Sequence, residues 1–339
     1  MNLSVIFGIA RAMIGSGGVK NLRGIFETAE AEVAQLGELV IAGEHSVERL
    51  DTAPPGSGVN VIISSLTWAQ KREMIPVFFR VLDAVATGGK YMMDEVTPTR
   101  QAADEQMLEE VKHIAREYGA VEVGFTRINE HDIFKGYAIP YQNAIVFTSP
   151  MDQEAINTAP GFPALREVIT TYADLGKLAI KLTDYLRAKG YGAYPGFPIG
   201  GLVDYVRVAQ DAGIGAIGYH GMLISGNEGT RQRINLVFTN MEIPQAQENE
   251  HEWILDFCAM CQKCVRDCPA DAIYTDAPVH PETGRKSTIH YKNCVDYYGA
   301  NKGCAVCVKV CPFSQAGYDK IQEGFLTAQA KRLAREELH

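Results

Sequence analysis

Two stretches near the C-terminus, CAMCQKCVRDCP over 258–269 and CAVCVKVCPF over 304–313, hold seven of the eight cysteines of the 339-residue chain, and Cys294 lies between them. The first stretch reads C-x2-C-x2-C-x3-C-P over Cys258, Cys261, Cys264 and Cys268. The second reads C-x9-C-x2-C-x3-C-P over Cys294, Cys304, Cys307 and Cys311. Cysteines two residues apart reach two irons of one cube, whereas the fourth points away and serves the other cube. The spacing therefore predicts crossed ligation. Cys258, Cys261, Cys264 and Cys311 are expected to hold one [4Fe–4S] cluster, and Cys268, Cys294, Cys304 and Cys307 the other. The competing reading is a pair of zinc sites, but zinc usually draws on two separated C-x2-C knuckles. Three cysteines in one run with a trailing Cys-Pro point to iron–sulfur instead. The C-x3-C-x2-C run of radical S-adenosylmethionine enzymes is absent from the sequence. Two such clusters imply electrons passing one at a time from an outside donor to an inside acceptor.

Composition sets the context. A chain of this length buries roughly 75% of its unfolded surface and needs no crosslinks to be stable. Hydrophobic residues make up 46% and charged residues 22%, as in a soluble globular protein. The net charge of −9 argues against nucleic acid as a partner, because phosphate binding wants a basic face. The N-terminal run MNLSVIFGIARAMIGSGG is short and broken by Arg11, so it reads as neither signal peptide nor membrane span. The expected location is cytoplasmic, with no membrane partner, and there clustered cysteines hold metal rather than form disulfides.

Upstream of the cysteines the chain alternates helices and strands. TWAQKREMIPVFFRVLDAVATGG reads as a helix with Pro76 as a kink or start and Gly88-Gly89 as a stop, and DTAPPGSG as a loop. Ala103, Met107, Leu108, Val111, Ile114, Ala115 and Tyr118 form one helical stripe, ended by Gly119. AVEVGFTRI, NAIVFTS and RINLVFTNMEI read as strands. ALREVITTYADLGKLAIKLTDYLRAKG reads as a long amphipathic helix, and GLVDYVRVAQDAG as another. The polar PQAQENEHEW is a plausible boundary, and EGFLTAQAKRLAREELH a helical tail. The pattern is α/β, or α+β, with at least three strands.

Gly213, Gly215 and Gly218 satisfy G-x-G-x-x-G. A dinucleotide fingerprint follows a strand and opens a helix. Here a helical pattern precedes it, and no acidic residue stands about twenty positions on, as the fingerprint needs. The plainer reading is a glycine-rich loop where backbone runs close to something large.

From Ala102 to Tyr318 the chain resembles the cobalamin-dependent reductive dehalogenases and, more distantly, the epoxyqueuosine reductases. The resemblance rests on YADLGKLAIKLTDYLRAKGY, AGIGAIGYHGMLIS, GTRQRINLVFTNMEI and NCVDYYGANKGCAVCVKVCPF. It implies a nitroreductase-like core fused to a two-cluster bacterial ferredoxin-like module. It also implies a base-off corrinoid with no histidine on cobalt, and the D-x-H-x-x-G motif of the alternative binding mode is indeed absent. The expected divisions are an N-terminal region of unclear role at 1–100, the corrinoid-binding core at 101–248, the 2[4Fe–4S] module at 249–320 and a helical tail at 321–339.

By resemblance, the loops Tyr194–Gly201, Gly213–Gly221 and Ser225–Gly229 would wrap the corrin. The contacts expected there are Tyr194, Gly196, Phe197, Gly200, Gly213, Gly215, Gly218, Tyr219, His220, Gly221 and Ser225. Arg231 and Arg233 would bind a cofactor carboxamide or phosphate, or else sit on a solvated strand end. The resemblance makes Tyr172 the proton donor, although by pattern alone it reads as a core aromatic beside Val168, Ile169 and Leu175. The family places a cation after the glycine loop, where this chain has Tyr219 and His220, so these two join Tyr172 as catalytic candidates. The partners implied are an external ferredoxin or flavodoxin as electron donor and a small organic substrate. Two other readings remain open: epoxyqueuosine-type reduction, and an electron carrier without a substrate of its own.

Overall fold

A computed structural model describes residues 39–46, 65–244, 249–282 and 284–336. The N-terminal apolar run, the 51–58 loop and residues 245–248 of the boundary segment lie outside the described residues. The described chain opens with a short strand, β1 (Val40–Ile41), and a long helix, α1 (Trp68–Met92). Next come α2 (Glu105–Glu117), β2 (Glu122–Arg127), β3 (Ala138–Ile139), β4 (Asn143–Pro150), α3 (Gln153–Asn157) and a second long helix, α4 (Phe162–Ala188). The core continues with β5 (Ala193–Pro195), α5 (Tyr205–Asp211), β6 (Gly215–Ile217), β7 (Leu223–Ser225) and β8 (Gln232–Thr239). The cysteine region forms α6 (Trp253–Cys261), α7 (Lys263–Arg266), α8 (Tyr291–Ala300), α9 (Val306–Val310), α10 (Pro312–Ala316) and α11 (Tyr318–Glu336). No described helix is long and apolar enough to cross a membrane.

Four strands pair in the order β2-β4-β8-β5, every pair antiparallel. The alternation of helices and strands thus resolves as α+β rather than as parallel βαβ units. β4 is buried on both faces, which explains its continuous apolar run. On one face, Ile145, Phe147 and Val237 pack on Leu175, Leu178 and Leu182 of α4 and on Met107 and Val111 of α2. On the other, Ala144, Val146, Leu236 and Phe238 pack on Val208 and Ala209 of α5 and on Phe197 and Leu202. Each fully buried aliphatic side chain in these layers contributes about 1.5–3 kcal/mol. β6 and β7 form a separate hairpin.

Helix α1 starts at a capping box, in which Thr67 accepts from the Gln70 N–H and Gln70 accepts from the Thr67 N–H. The glycine pair expected to stop it does not: the helix runs on to Met92, with both glycines buried inside it. Gly88 faces the Phe197 ring, and this packing outweighs a propensity penalty of about 1 kcal/mol per glycine. Pro76 also lies inside the helix.

Several contacts bind the cysteine region to the core, two of them through arginines whose side chains are mostly buried. At one, Arg231 donates from Nε to Ser314 O (3.0 Å) and from Nη1 to Met151 O (2.9 Å), while Thr230 and Ser314 share a hydroxyl hydrogen bond. At the other, Arg285 pairs with Asp132, a carboxylate only 3% exposed.

Candidate metal centre and its surroundings

The two cysteine motifs fold alike. In each, a left-handed residue, Gln262 or Ala305, opens a short helix whose second residue is a cysteine, Cys264 or Cys307. That reversal turns two thiols three positions apart towards the same body. All eight cysteines are free thiols.

Electrostatic neighbourhood sorts the thiols into two groups. Burial pushes Cys258 up to about 11, and Cys261 adds to it. Burial pushes Cys264 up to about 12, with Cys258 and Cys261 adding. Cys311, from the second motif, is pushed by burial up to about 12 and has Cys258 and Cys264 as its thiol neighbours. In the other group, burial raises Cys294, and Cys304 and Cys268 raise it further. Cys304 is raised by burial and by Cys268. Cys307 is pushed by burial up to about 12, with Cys304 and Cys294 next and then Cys264 and Cys268. Each group therefore borrows one cysteine from the opposite motif, and the Cys264–Cys307 proximity sets the groups side by side.

The donor set fits iron–sulfur clusters. Buried thiols held this far above their ordinary range stay protonated unless a cation compensates them, and cluster iron is such a cation. Among the described residues, no three Cys, His, Asp or Glu side chains close on a single point as they do around one ion. Tetrahedral zinc, with bonds of about 2.3 Å, demands that closeness, whereas a cube holds its four thiolates further apart. Cys258, Cys261, Cys264 and Cys311 line one pocket together. Several backbone N–H groups turn towards the sulfurs: Tyr219 to Cys258, Val265 to Cys264, Phe313 and Ser314 to Cys311, and Ala272 to Cys268 at 3.3 Å. An aromatic shell of Trp253, Phe257, Phe313, Tyr318 and Phe325 packs beside the first group.

The glycine motif is spent on the β6–β7 hairpin. A Cβ on Gly215 would stand 2.1 Å from the Ile224 carbonyl oxygen, so only glycine lets the two strands close. At Gly221 the φ of +75° makes the turn, and Thr288 of the cysteine region fills the space where a side chain would go. The large object that the backbone approaches is thus the chain itself. The turn carries Tyr219, whose N–H faces Cys258, and His220, which lines the pocket of the first thiol group. Burial pushes the His220 ring down to about 4, so it is neutral at physiological pH and supplies no cation.

Other residues expected to wrap a corrin are also committed. The Tyr194 hydroxyl donates to Asp94 O (2.9 Å), Ser225 bonds to Gln232 (3.1 Å), and Phe197 is 2% exposed in the core. Gly196 is enclosed by Asn235, Leu236 and Tyr205, while Gly213 ends α5 with its N–H on Gln210 O. Gly218 lies against Ile224 and His220, Gly200 takes a positive φ of 79°, and Arg231 is held by Ser314, Met151 and Glu228.

Tyr172 lies elsewhere, half-buried on α4 and packed with Val168, Val308 and Cys307. The Arg233 guanidinium stands over its ring, 5.4 Å from the centroid. Alternation along β8 puts Arg233 on the same side as Asn235, which donates to Leu175 O of α4. The Arg233 Nε is buried with no hydrogen-bond partner among the described residues. Tyr298 of α8 completes the group: burial around its hydroxyl pushes it up to about 12, Tyr172 raises it further, and Arg233 pulls it down. Sequence reasoning placed neither the Arg233–Tyr172 contact nor Tyr298. The available signals were the two-residue register of β8 and the aromatic pair just after Cys294.

A profile of the 4Fe-4S dicluster domain matches residues 257–315. The chain is 31% identical over 183 residues to a tetrachloroethene reductive dehalogenase of Sulfurospirillum multivorans, covering 51% of this chain and 36% of that protein. It is 28% identical over 122 residues to an epoxyqueuosine reductase of Lactococcus garvieae, covering 34% of this chain and 33% of that one. In structure it is similar to the catabolic reductive dehalogenase NpRdhA, with a TM-score of 0.66 at 18% identity over 84% of this chain and 45% of the other. The match to the dehalogenase relative thus spans well under half of that protein's length. The fold is shared with reductive dehalogenases, an α+β core carrying a dicluster iron–sulfur module. In sequence the chain is similar to reductive dehalogenases and, over a shorter stretch, to epoxyqueuosine reductases.

Proposed function

We propose that this protein is an iron–sulfur reductase of the reductive dehalogenase type. In this proposal two [4Fe–4S] clusters, ligated in the crossed sets named above, receive single electrons from an external ferredoxin or flavodoxin. They pass them on towards reduction of a small organic substrate in the cytoplasm. The observation that supports the proposal is the Tyr172–Arg233–Tyr298 group, whose Tyr298 feels both Arg233 and the Cys294 and Cys304 thiols.

Replacing a leaving group X by hydrogen takes two electrons and one proton: R–X + 2e⁻ + H⁺ gives R–H + X⁻. The clusters supply the electrons and the Tyr172 hydroxyl the proton. The Arg233 guanidinium over the ring stabilises the phenolate left behind. Tyr298 is kept protonated by burial. A base-off corrinoid is proposed as the acceptor on kinship only. No step is assigned to cobalt.

A second reading, an electron carrier that reduces a partner's cofactor, rests on the dicluster module alone. Two measurements on anaerobically purified protein separate the readings. The first is the iron, sulfide and cobalt content, expected at about eight irons with one cobalt for the enzyme. Eight irons without cobalt, even after incubation with cobalamin, supports the carrier. The second is single-turnover product formation with reduced viologen and a panel of halogenated and epoxide substrates. Tyr172→Phe is expected to slow it about 100-fold or more, and an unchanged rate removes Tyr172 from the chemistry.

A further inference from the structure

His220 is 5% exposed, and its hydrogen-bond pattern fixes where its proton sits. Its Nδ1 accepts from the Met222 N–H at 3.1 Å within the β6–β7 turn. A neutral imidazole carries one hydrogen, so with Nδ1 accepting, that hydrogen is on Nε2. Nε2 is buried and has no hydrogen-bond partner among the described residues. An orphaned buried donor costs about 1–3 kcal/mol unless something accepts from it. The ring lines the pocket formed by Cys258, Cys261, Cys264 and Cys311, together with Phe257 and Phe313. Everything else that lines this pocket beside the thiols is apolar or, like Gln262 and Lys263, belongs to the cluster loop itself.

We propose that the His220 Nε2–H donates a hydrogen bond to a sulfur of the cluster held by Cys258, Cys261, Cys264 and Cys311, and so raises the reduction potential of that cluster. The inference rests on the cluster assignment made above. Adding an electron makes the sulfurs more negative, so a donor aimed at them stabilises the reduced state more than the oxidised one. The Tyr219 N–H, already turned to Cys258, acts in the same sense from the same turn. The hairpin is then the element by which the core sets the potential of one cluster and leaves the other untouched. The second thiol group has no histidine in this role among the described residues, and the two clusters are accordingly expected to differ in potential.

The test uses the anaerobically purified full-length protein, after its iron content and two reduced-cluster EPR signals have been verified. Failure at that stage refutes the cluster assignment and not the role of His220. Redox titration followed by EPR then reads each cluster separately. In His220→Phe the reduced fraction of one cluster at a fixed potential is expected to fall about tenfold, a shift of about 59 mV to more negative potential, with the other cluster unmoved. His220→Gln, which can offer an amide donor, is expected to recover part of the shift. For the unmutated protein with ¹⁵N-histidine, ENDOR is expected to show a nitrogen coupling on that same cluster. No nitrogen coupling in the unmutated protein overturns the proposal, as does a His220→Phe protein whose two potentials are unchanged. Equal shifts of both clusters would also overturn it, because they would report a general change of packing.

Discussion

The two thiol groups meet different faces of the same core. The group of Cys258, Cys261, Cys264 and Cys311 faces a hairpin turn, an aromatic shell and a neutral histidine. The group of Cys268, Cys294, Cys304 and Cys307 faces Tyr172 and Tyr298, with an arginine over the Tyr172 ring. Ligand chemistry is alike in both, since each has four thiols, three from one motif and one from the other. Function is therefore differentiated by what the core brings up against each group, not by the cysteines. In the two proposals above, one side sets a potential and the other delivers a proton.

The most drastic way to break this comparison is to remove a ligand. Cys264→Ser or Cys307→Ser is expected to lower iron from about eight to about four per chain and to abolish one EPR signal, a different one in each variant. If Cys258→Ser and Cys268→Ser extinguish the same signal, the crossed grouping fails. Asp132→Asn comes next, because it leaves Arg285 facing a buried site without its carboxylate. A loss of about 1–3 kcal/mol in unfolding free energy is expected from denaturant titration, because Asp211 stays near Arg285 and the desolvation cost of the Asp132 carboxylate is relieved. Burial pushes Asp132 up to about 6 against the pull of Arg285, with Asp211 and Asp204 adding to the rise. A carboxyl raised in the folded state stabilises fully below its ordinary value of 3.8, and that contribution is lost as pH climbs to about 6. The corresponding slope in the stability–pH curve is expected to vanish in Asp132→Asn.

Gly215→Ala sharpens the contrast between the two sides. Its methyl group would collide with the Ile224 carbonyl, at a cost of about 1–3 kcal/mol. The accompanying shift of the turn is expected to perturb the EPR of the Cys258-group cluster alone, and a change at both clusters would mean that the hairpin does not act locally. The smallest effect is expected for Tyr318→Phe. The Tyr318 hydroxyl is shared by His251 Nδ1 (2.7 Å) and Trp253 Nε1 (3.0 Å), so its removal should cost about 1–2 kcal/mol in thermal or denaturant unfolding.

Much of the secondary structure could be read in advance. The stripe through Met107 and Val111, the amphipathic run through Leu175 and Leu182, and the apolar strand at Ile145–Phe147 all fold as their periods predict. The misreadings have specific causes. Gly88-Gly89 reads as a helix stop because propensity is local, yet the Phe197 ring that holds α1 together there comes from more than a hundred residues away. The G-x-G-x-x-G spacing reads as a loop around a ligand, while its glycines serve the contact of two strands and a turn against Thr288. Arg231 reads as a cofactor ligand or a solvated residue, and it is instead a clamp between β8 and α10.

By itself the sequence determined the metal chemistry, because C-x2-C-x2-C-x3-C-P encodes thiol spacing along a short and locally folded chain. It also fixed the order of helices and strands, through periods of 2 and 3.6 that need no partner to be legible. The antiparallel pairing and the meeting of Arg233 with Tyr172 were decided only when sheet, hairpin and module packed together. So was the seating of His220 against four thiols. The physical reason is range. A ligand motif acts over a few residues, whereas an orphaned donor or a cation over a ring exists only once distant segments have excluded water from between them.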